Sequence, residues 1–527
     1  MLIDLRQFTS EAPPSAETLI VGSGAVGLSM AMALHHAGRD VILLEAGGRS
    51  VDDASQDYFR AAQCRARELP GLYLGRFRAL GGTTNFWGGQ LLRFEPIVLR
   101  HRPWVADIAW PIAPAELDPH YERAYELLGM RQHLADDTVW QRLGVAPPDS
   151  DGTLEAIFSA WAPEPNLATL FGKEIAASKS LRLFLHAPVV ALDFDAAGER
   201  VTGVLVRTAD GSVRRFTAQR VILANGTVEI ARLLQLPLAD GNAAPWAGSE
   251  WLGKGFADHV DCWGGEVTPV DKKRFHNLFD NAYLDGIKYA PKLKPSAREQ
   301  ERRKLVDISG HFLFNSSFEE HLFNAKLLVR SLFRGRFERR LVPDRQSFLS
   351  MLRVVLPMMA RYVKSHRMYN PADRGIQLRL CCEQYPMRES AVRLGEKRDA
   401  LGMPVVEMDW RIDGSEIETM AAFTELVAGY LEQHRLARIA IDPLLAARDP
   451  AFVRKLDDGY HHMGTARMAA CKADGVVDRD LKLFDTRNLY VAGAAVYPTT
   501  GSANPTFAAI ALGLRLSDAI TSARAAA

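Results

Sequence analysis

The sequence predicts an α/β fold, α+β overall: a Rossmann-like βαβ unit joined to a second domain built on an antiparallel sheet with helices. Three observations carry this expectation. A β-branched strand, a glycine-rich turn, a helix and a second strand succeed one another between Thr18 and Gly48. Strand signals of the same kind return at 181–224 and 488–493, so the first unit is assembled from separated parts of the chain. Between those parts, Ile376–Leu380, Ser390–Leu394 and Val405–Trp410 read as strands of a different, antiparallel sheet.

The first stretch has a mechanical reason for each piece. Thr18–Val21 is a short buried strand, and Gly22-Ser23-Gly24-Ala25-Val26-Gly27 follows at once. Gly22 makes the tight turn, Gly24 lets the backbone approach a pyrophosphate, and Gly27 lets the helix pack close to the strand. The helix, Leu28 to Ala37, offers free N–H groups and a positive dipole end to phosphate. A second strand, Val41–Leu44, ends in Glu45, placed to accept hydrogen bonds from ribose hydroxyls. In this order the pieces make a Rossmann-like dinucleotide site.

Length and composition set the outer bounds. With 527 residues the chain suits two or more domains sharing a large core. A net charge of +1 supplies no global basic bias for nucleic acid. The five cysteines (Cys64, Cys262, Cys381, Cys382, Cys471) are odd in number and lack metal-ligand spacing, which points to reduced thiols, a cytoplasmic-type compartment and no metal site. The N-terminus has no basic segment followed by an apolar one, so no secretory signal is expected. No run of about 18 uncharged apolar residues is present to span a membrane.

Taken in order, Arg78–Gln90 (RALGGTTNFWGGQ) places glycine pairs around Phe86-Trp87, and reads as a loop lying against a ligand. Leu117, Tyr121, Ala124 and Leu127-Leu128 recur at helical spacing. Leu181–Leu185, Val189–Phe194, Val201–Arg207, Val213–Ala218 and Arg220–Ala224 read as strands, with a hairpin turn at Asp210-Gly211. A helix over Val228–Leu234 returns the chain to the nucleotide domain. Residues 291–370 hold seventeen Lys and Arg against seven Asp and Glu. This reads as amphipathic helices with solvated basic faces, or as a docking surface for a partner. Asp413–His434 is expected as a helix. The boundaries that follow are 1–100, 181–265 and 455–527 for the nucleotide domain, with 101–180 and 266–454 forming the substrate domain.

The C-terminal part carries the chemistry. Tyr460-His461-His462-Met463-Gly464-Thr465 lies in a loop, Asn488–Gly493 reads as a strand, and Ser502-Ala503-Asn504-Pro505-Thr506 leads into a long helix, Phe507–Ser522. Proline suits the first helical position, so this helix starts near Pro505 and points its positive end at whatever lies in front. A histidine with its ordinary pKa near 6.5 can take an alcohol proton while hydride leaves, and an asparagine beside it can orient the hydroxyl. His461 and Asn504 are that candidate pair, the alternative being two surface histidines.

Taken together, GSGAVG, LLEAGG, ALGGTTNFWGG, WPIAPAELDPHYERA, VILANGTVEIARLL, WLGKGFADH, LGMPVVEMDWRI, YHHMGTARM and NLYVAGAAVYPTTGSANPT resemble the glucose–methanol–choline (GMC) flavin oxidoreductases in order and in content. The branch resembled most is that of pyranose oxidases and bacterial sugar or glycoside dehydrogenases. The likeness is dense at both ends and thin between about 130 and 370. It implies FAD held by Gly22, Gly24, Gly27 and Glu45, with Arg78, Gly82, Asn85 and Trp87 in the flavin loop and Val189 near the adenine. It further implies Ala224, Gly493 and Ala494 along the cofactor and Thr506 at its pyrimidine edge. The family's catalytic histidine precedes x-x-Gly-Thr, which selects His461 over His462, and its partner falls on Asn504. Some relatives tether the flavin through a histidine just before the loop tryptophan. Here that position is Phe86, so the FAD is expected to be non-covalent.

The resemblance therefore implies an enzyme that oxidises a secondary hydroxyl of a sugar or glycoside, with oxygen or another acceptor taking the electrons. A steroid, aryl alcohol or polyol substrate is the alternative, and a lyase with an idle flavin a more distant one. No second glycine fingerprint exists to hold a nicotinamide dinucleotide.

Overall fold

Ser15–Val21 is the spine of the nucleotide domain. Its Leu19 and Ile20 are fully buried, and it pairs in parallel with Val41–Leu44 on one side and Val213–Leu223 on the other. The computed structural model describes residues 1–525 except Glu11, Ala209 and 318–358. Among these, the first sheet has eight strands, running from Leu2–Asp4 through Leu181–Leu185, Val41–Leu44, Ser15–Val21 and Val213–Leu223 to the antiparallel Val201–Arg207 and Val189–Phe194. Leu489–Val491 adds in parallel beside Val221–Leu223. Val213–Leu223 is one strand where the sequence reads as two. Its first half pairs with Val201–Arg207, and its second half with Leu489–Val491.

The helix after the glycine turn runs from Ala25 to His36, starting earlier than Leu28 because Gly27 lies inside it. A Cβ on Gly27 would stand 1.9 Å from the Gly22 carbonyl oxygen, so only glycine lets the helix sit this close. Val26 through Leu34 are all buried, as suits a helix apolar on every side. It packs against the C-terminal helix Pro505–Ala525, where a Cβ on Gly513 would meet Met30 Cγ at 2.9 Å.

The second sheet has nine strands among the described residues. Its main order is Ala437–Ile441, Val260–Pro269, Ile376–Cys382, Ile308–Phe314, Ile287–Pro295, Leu154–Trp161 and Gln90–Leu91, and the neighbours are antiparallel. The helix Glu416–Gln433 covers one face, where a Cβ on Gly310 would come within 2.9 Å of the Phe423 ring. Val260–Pro269 and Gln90–Leu91 both belong to this second sheet. Ala391–Arg398 and Pro404–Asp409 are antiparallel to each other but leave that sheet. With Gln63–Cys64 they form a separate three-stranded one.

About half of the expected basic surface at 291–370, residues 318–358, lies outside the described residues. Of its described beginning, Ile287–Pro295 and Ile308–Phe314 are strands of the large sheet, while the helix Ala297–Arg303 between them carries the exposed Arg302 and Arg303. All five cysteines are free thiols. Among the described residues, no helix is long and apolar enough to cross a membrane, and no group of three or more His, Cys, Asp or Glu is arranged to hold a metal ion.

Candidate active site

A cavity runs from the glycine turn to the start of the C-terminal helix. Of the candidate residues, Gly22, Gly24, Glu45, Arg78, Gly82, Val189, Ala224, His461, Gly493, Ala494 and Thr506 line it. Gly27, Asn85, Trp87 and Asn504 stand outside its lining. Gly27 supports the turn from beneath. Asn85 Nδ2 donates to the carbonyls of Leu80 and Gly82 at 2.9 and 2.8 Å, and Trp87 Nε1 donates to the Pro165 carbonyl at 2.6 Å. These two residues brace the loop that brings Gly82 over the turn. A Cβ on Gly82, at φ +51°, would meet Gly24 Cα at 2.9 Å.

The lining suits a flavin dinucleotide. No side chain caps the Ala25–His36 helix at Gly24, and nothing lies within 4 Å of where a Cβ on Gly24 or Gly493 would be. Bare backbone and free N–H groups therefore face the space a pyrophosphate would take. Glu45 Oε2 accepts Ser23 Oγ–H at 2.5 Å and the Ser23 N–H at 3.2 Å, while Oε1 accepts the Gly47 N–H at 2.8 Å and keeps a lone pair for a ribose hydroxyl. Burial raises its pKa, against those hydrogen bonds. The Arg78 guanidinium stacks 3.9 Å from the Tyr58 ring centroid, and its Nε is buried without a partner among the described residues. Asn225 Oδ1, on the same lining, is likewise buried and unpartnered. Such orphaned atoms are costly unless a ligand meets them.

At the far end His461 Nε2 lies 3.0 Å from Asn504 Nδ2, and His461 Nδ1 lies 2.9 Å from His259 Nδ1. Buried carboxylates hold both members of the pair. Asp258 Oδ1 accepts the His461 backbone N–H at 2.9 Å and the Gly459 N–H at 3.1 Å. Glu383, paired twice with Arg102 at 2.6 and 2.7 Å, also accepts the N–H groups of Thr500 and Gly501 at 3.2 and 2.9 Å. Asp307 accepts the Ser502 N–H at 2.7 Å. The segment that delivers Asn504 is thus tied down before the helix begins. Backbone strain flanks the histidine: Thr465, β-branched and fully buried, is held at φ +78°.

The hydrogen bonds assign a tautomer. Asn504 Nδ2 can only donate, so His461 Nε2 is its lone-pair nitrogen and Nδ1 carries the hydrogen, donating to His259 Nδ1. Burial, with His259 alongside, pushes the His461 pKa down to about 3, well below the ordinary value near 6.5 expected from sequence. Burial also takes His259 to about 4 and His462 to about 3. Asp258 is pushed well above the carboxylate range by burial and by Asp458. His462, adjacent to the pair, lines the cavity with Nε2 3.8 Å from Asp258.

Sequence reasoning missed His259, although Asp258-His259 stood inside a motif it had noted. It also missed Arg76, Tyr58 and Asn225 on the cavity wall, and the Asp399–Met403 loop that reaches the same space. None of these has a spacing signal; each arrives by folding.

Fold, cavity and lining together define a flavin-dependent oxidoreductase. Residues 17–245 match the family model of FAD dependent oxidoreductases, and residues 386–513 that of GMC oxidoreductases. The chain thus carries an FAD oxidoreductase domain and a GMC oxidoreductase C-terminal domain, and is an FAD-dependent enzyme that oxidises alcohols. It is 23% identical over 575 aligned residues to the 2-methyl-1,2-propanediol dehydrogenase of Mycolicibacterium austroafricanum, covering 96% of this chain and 95% of that one. It is 24% identical to the 6'''-hydroxyparomomycin C oxidase of Streptomyces lividus, with 97% and 92% covered. A shorter part, 27% of this chain and 26% of the relative, is 29% identical to the C-glycoside 3-oxidase of Arthrobacter globiformis. A fungal aryl-alcohol oxidase shares the fold with a TM-score of 0.58 at 16% identity, covering 98% of this chain and 100% of that one.

Proposed function

We propose that the enzyme oxidises a secondary CH–OH group of a sugar or glycoside to the ketone. His461 is the base, and Asn504 the residue that orients the hydroxyl. The observation that carries this is the 3.0 Å approach of His461 Nε2 to Asn504 Nδ2 at the end of the cofactor cavity. A hydroxyl that replaces this direct contact can donate to the Nε2 lone pair while accepting from the Asn504 amide. His461 takes the proton, and His259 holds the ring in the orientation that presents Nε2. Bound in the cavity, FAD supplies the hydride acceptor.

Non-covalent attachment is part of this reading. Phe86 occupies the position before Trp87, stacks on Phe77 with ring centroids 5.5 Å apart, and offers no atom for a bond to flavin. A small diol is the second reading, favoured by the activity of the 2-methyl-1,2-propanediol dehydrogenase that aligns over 96% of the chain. The test is anaerobic flavin reduction by monosaccharides, glycosides, polyols and aryl alcohols, followed by admission of air. Bleaching by pyranosides supports the proposal; bleaching by small diols alone overturns it.

A further inference from the structure

The sheet face turned toward His461 carries a buried cation with no counter-ion. Strand Ile287–Pro295 puts Lys288, Ala290, Lys292 and Lys294 on one face through its two-residue period. Lys288 lies 3.6 Å from the Trp161 ring centroid, and Lys294 is paired with Glu95 at 2.7 Å and Glu155 at 3.1 Å. Lys292 stands between them. It is only 5% exposed and makes no hydrogen bond or ion pair with any described residue.

Its neighbours across the sheet follow from register. Leu293 opposite Gly310 puts Lys292 beside His311, which pairs with Arg379, itself opposite Trp263. His311 Nδ1 is buried and unpartnered, and Arg379 Nη2 donates to Asp261 at 2.7 Å. Asp261 Oδ1 is buried without a partner, so among the described residues one carboxylate faces two cations, Arg379 and Lys292, and one positive charge is left in excess. Lys292 also lies close enough to influence the charge of His461, His259 and Cys381. Burial lowers its own pKa, with Cys381 and Asp261 pulling the other way.

An ammonium buried this deeply loses its hydration, and proteins normally meet that loss with a paired anion. Here the described protein supplies none within bonding distance. We propose that the substrate brings it: a sugar or glycoside bearing a carboxylate or phosphate ester, whose anionic group seats on Lys292 Nζ while the reacting hydroxyl lies at His461 and Asn504. This rests on the sugar-oxidation reading above and narrows it to anionic members of that class.

The holoenzyme tests it by anaerobic stopped-flow flavin reduction with a methyl pyranoside, the matching uronoside and the matching sugar phosphate, and by calorimetric binding of each. The expected result is about tenfold or greater preference for an anionic sugar, the scale of one hydrogen bond to a charged group. Lys292→Met removes that preference while leaving the neutral pyranoside within about twofold, and Lys292→Arg restores much of it. Carboxylate and phosphate arms identify which anion is used. Equal or better reduction by the neutral pyranoside overturns the proposal. So does a Lys292→Met variant slowed equally on all three, which would make Lys292 a counter-charge for the reaction itself. Lysine-dependent binding of the anions without flavin reduction by any sugar keeps the anion seat and sinks the sugar-oxidation reading instead.

Discussion

His461 and His259 meet nitrogen to nitrogen, Nδ1 to Nδ1, at 2.9 Å. Only one of the two facing atoms can carry a hydrogen, and Asn504 on the other side of His461 decides which. Removing the acceptor with His259→Phe frees the His461 ring to adopt the other tautomer. Flavin reduction should then slow about tenfold or more, with substrate binding little changed. His259→Asn, whose amide oxygen can still accept, should recover part of the rate. Equal rates in all three proteins would remove His259 from the positioning of the base.

His461→Ala should slow the reductive half-reaction by about a hundredfold or more, the scale of losing a general base. Asn504→Ala should lose less, and both variants should keep their yellow colour, since neither residue lines the cofactor cavity's dinucleotide end. A near-normal reduction rate in His461→Ala refutes the assignment.

With its folded pKa near 3, His461 is neutral and able to accept a proton throughout the range from pH 8 to 5. The rate constant for flavin reduction should therefore stay flat there and fall only toward pH 4. An acid limb with a midpoint between 6 and 7 would contradict this. Stability moves in the same sense. His259, His461 and His462 all titrate lower when folded than their ordinary value near 6.5, so acid favours the unfolded chain. The histidines' contribution to the melting temperature should be fully present above pH 6.5 and be lost progressively between 6.5 and about 4, while Asp258, raised by burial, titrates in the opposite sense.

Gly27→Ala should cost at least about 1–3 kcal/mol, the range for forcing extra atoms into a packed site. Its new Cβ would overlap the Gly22 carbonyl oxygen at 1.9 Å. The turn must move to admit it, so the variant should purify with less bound FAD. Full flavin occupancy and an unchanged melting temperature would show that the turn can yield.

Acid precipitation should leave the yellow colour in the supernatant, because Phe86 cannot bond the flavin. Colour retained in the pellet would show a tether elsewhere.

Much of the nucleotide domain was legible because its signals are local. Val41–Leu44 has the bounds the apolar run gives it, and the glycine turn, Glu45 and the helix near Pro505 follow from spacing and capping chemistry. The His461–Asn504 contact came from resemblance, not from periodicity. The large sheet was obscured by its own chemistry. Lys288, Lys292 and Lys294 alternate along Ile287–Pro295 as solvent-facing residues normally do, yet two of the three are buried. A strand with lysines on its inner face looks, in sequence, like a strand facing water. The Ala391–Asp409 hairpin was visible, but its departure to another sheet depends on pairing with Gln63–Cys64, more than three hundred residues earlier.

The cofactor cavity takes its walls from Gly22 at one end of the chain and Ala509 near the other. Synthesis on the ribosome therefore delivers the glycine turn hundreds of residues before the helix that completes the site. A nascent chain has no finished place for FAD until Pro505–Ala525 has emerged, and such distant closure is slow. A chain cut short before Asn488 would lack both the Leu489–Val491 strand and the terminal helix, and should emerge colourless however well its first domain begins to form.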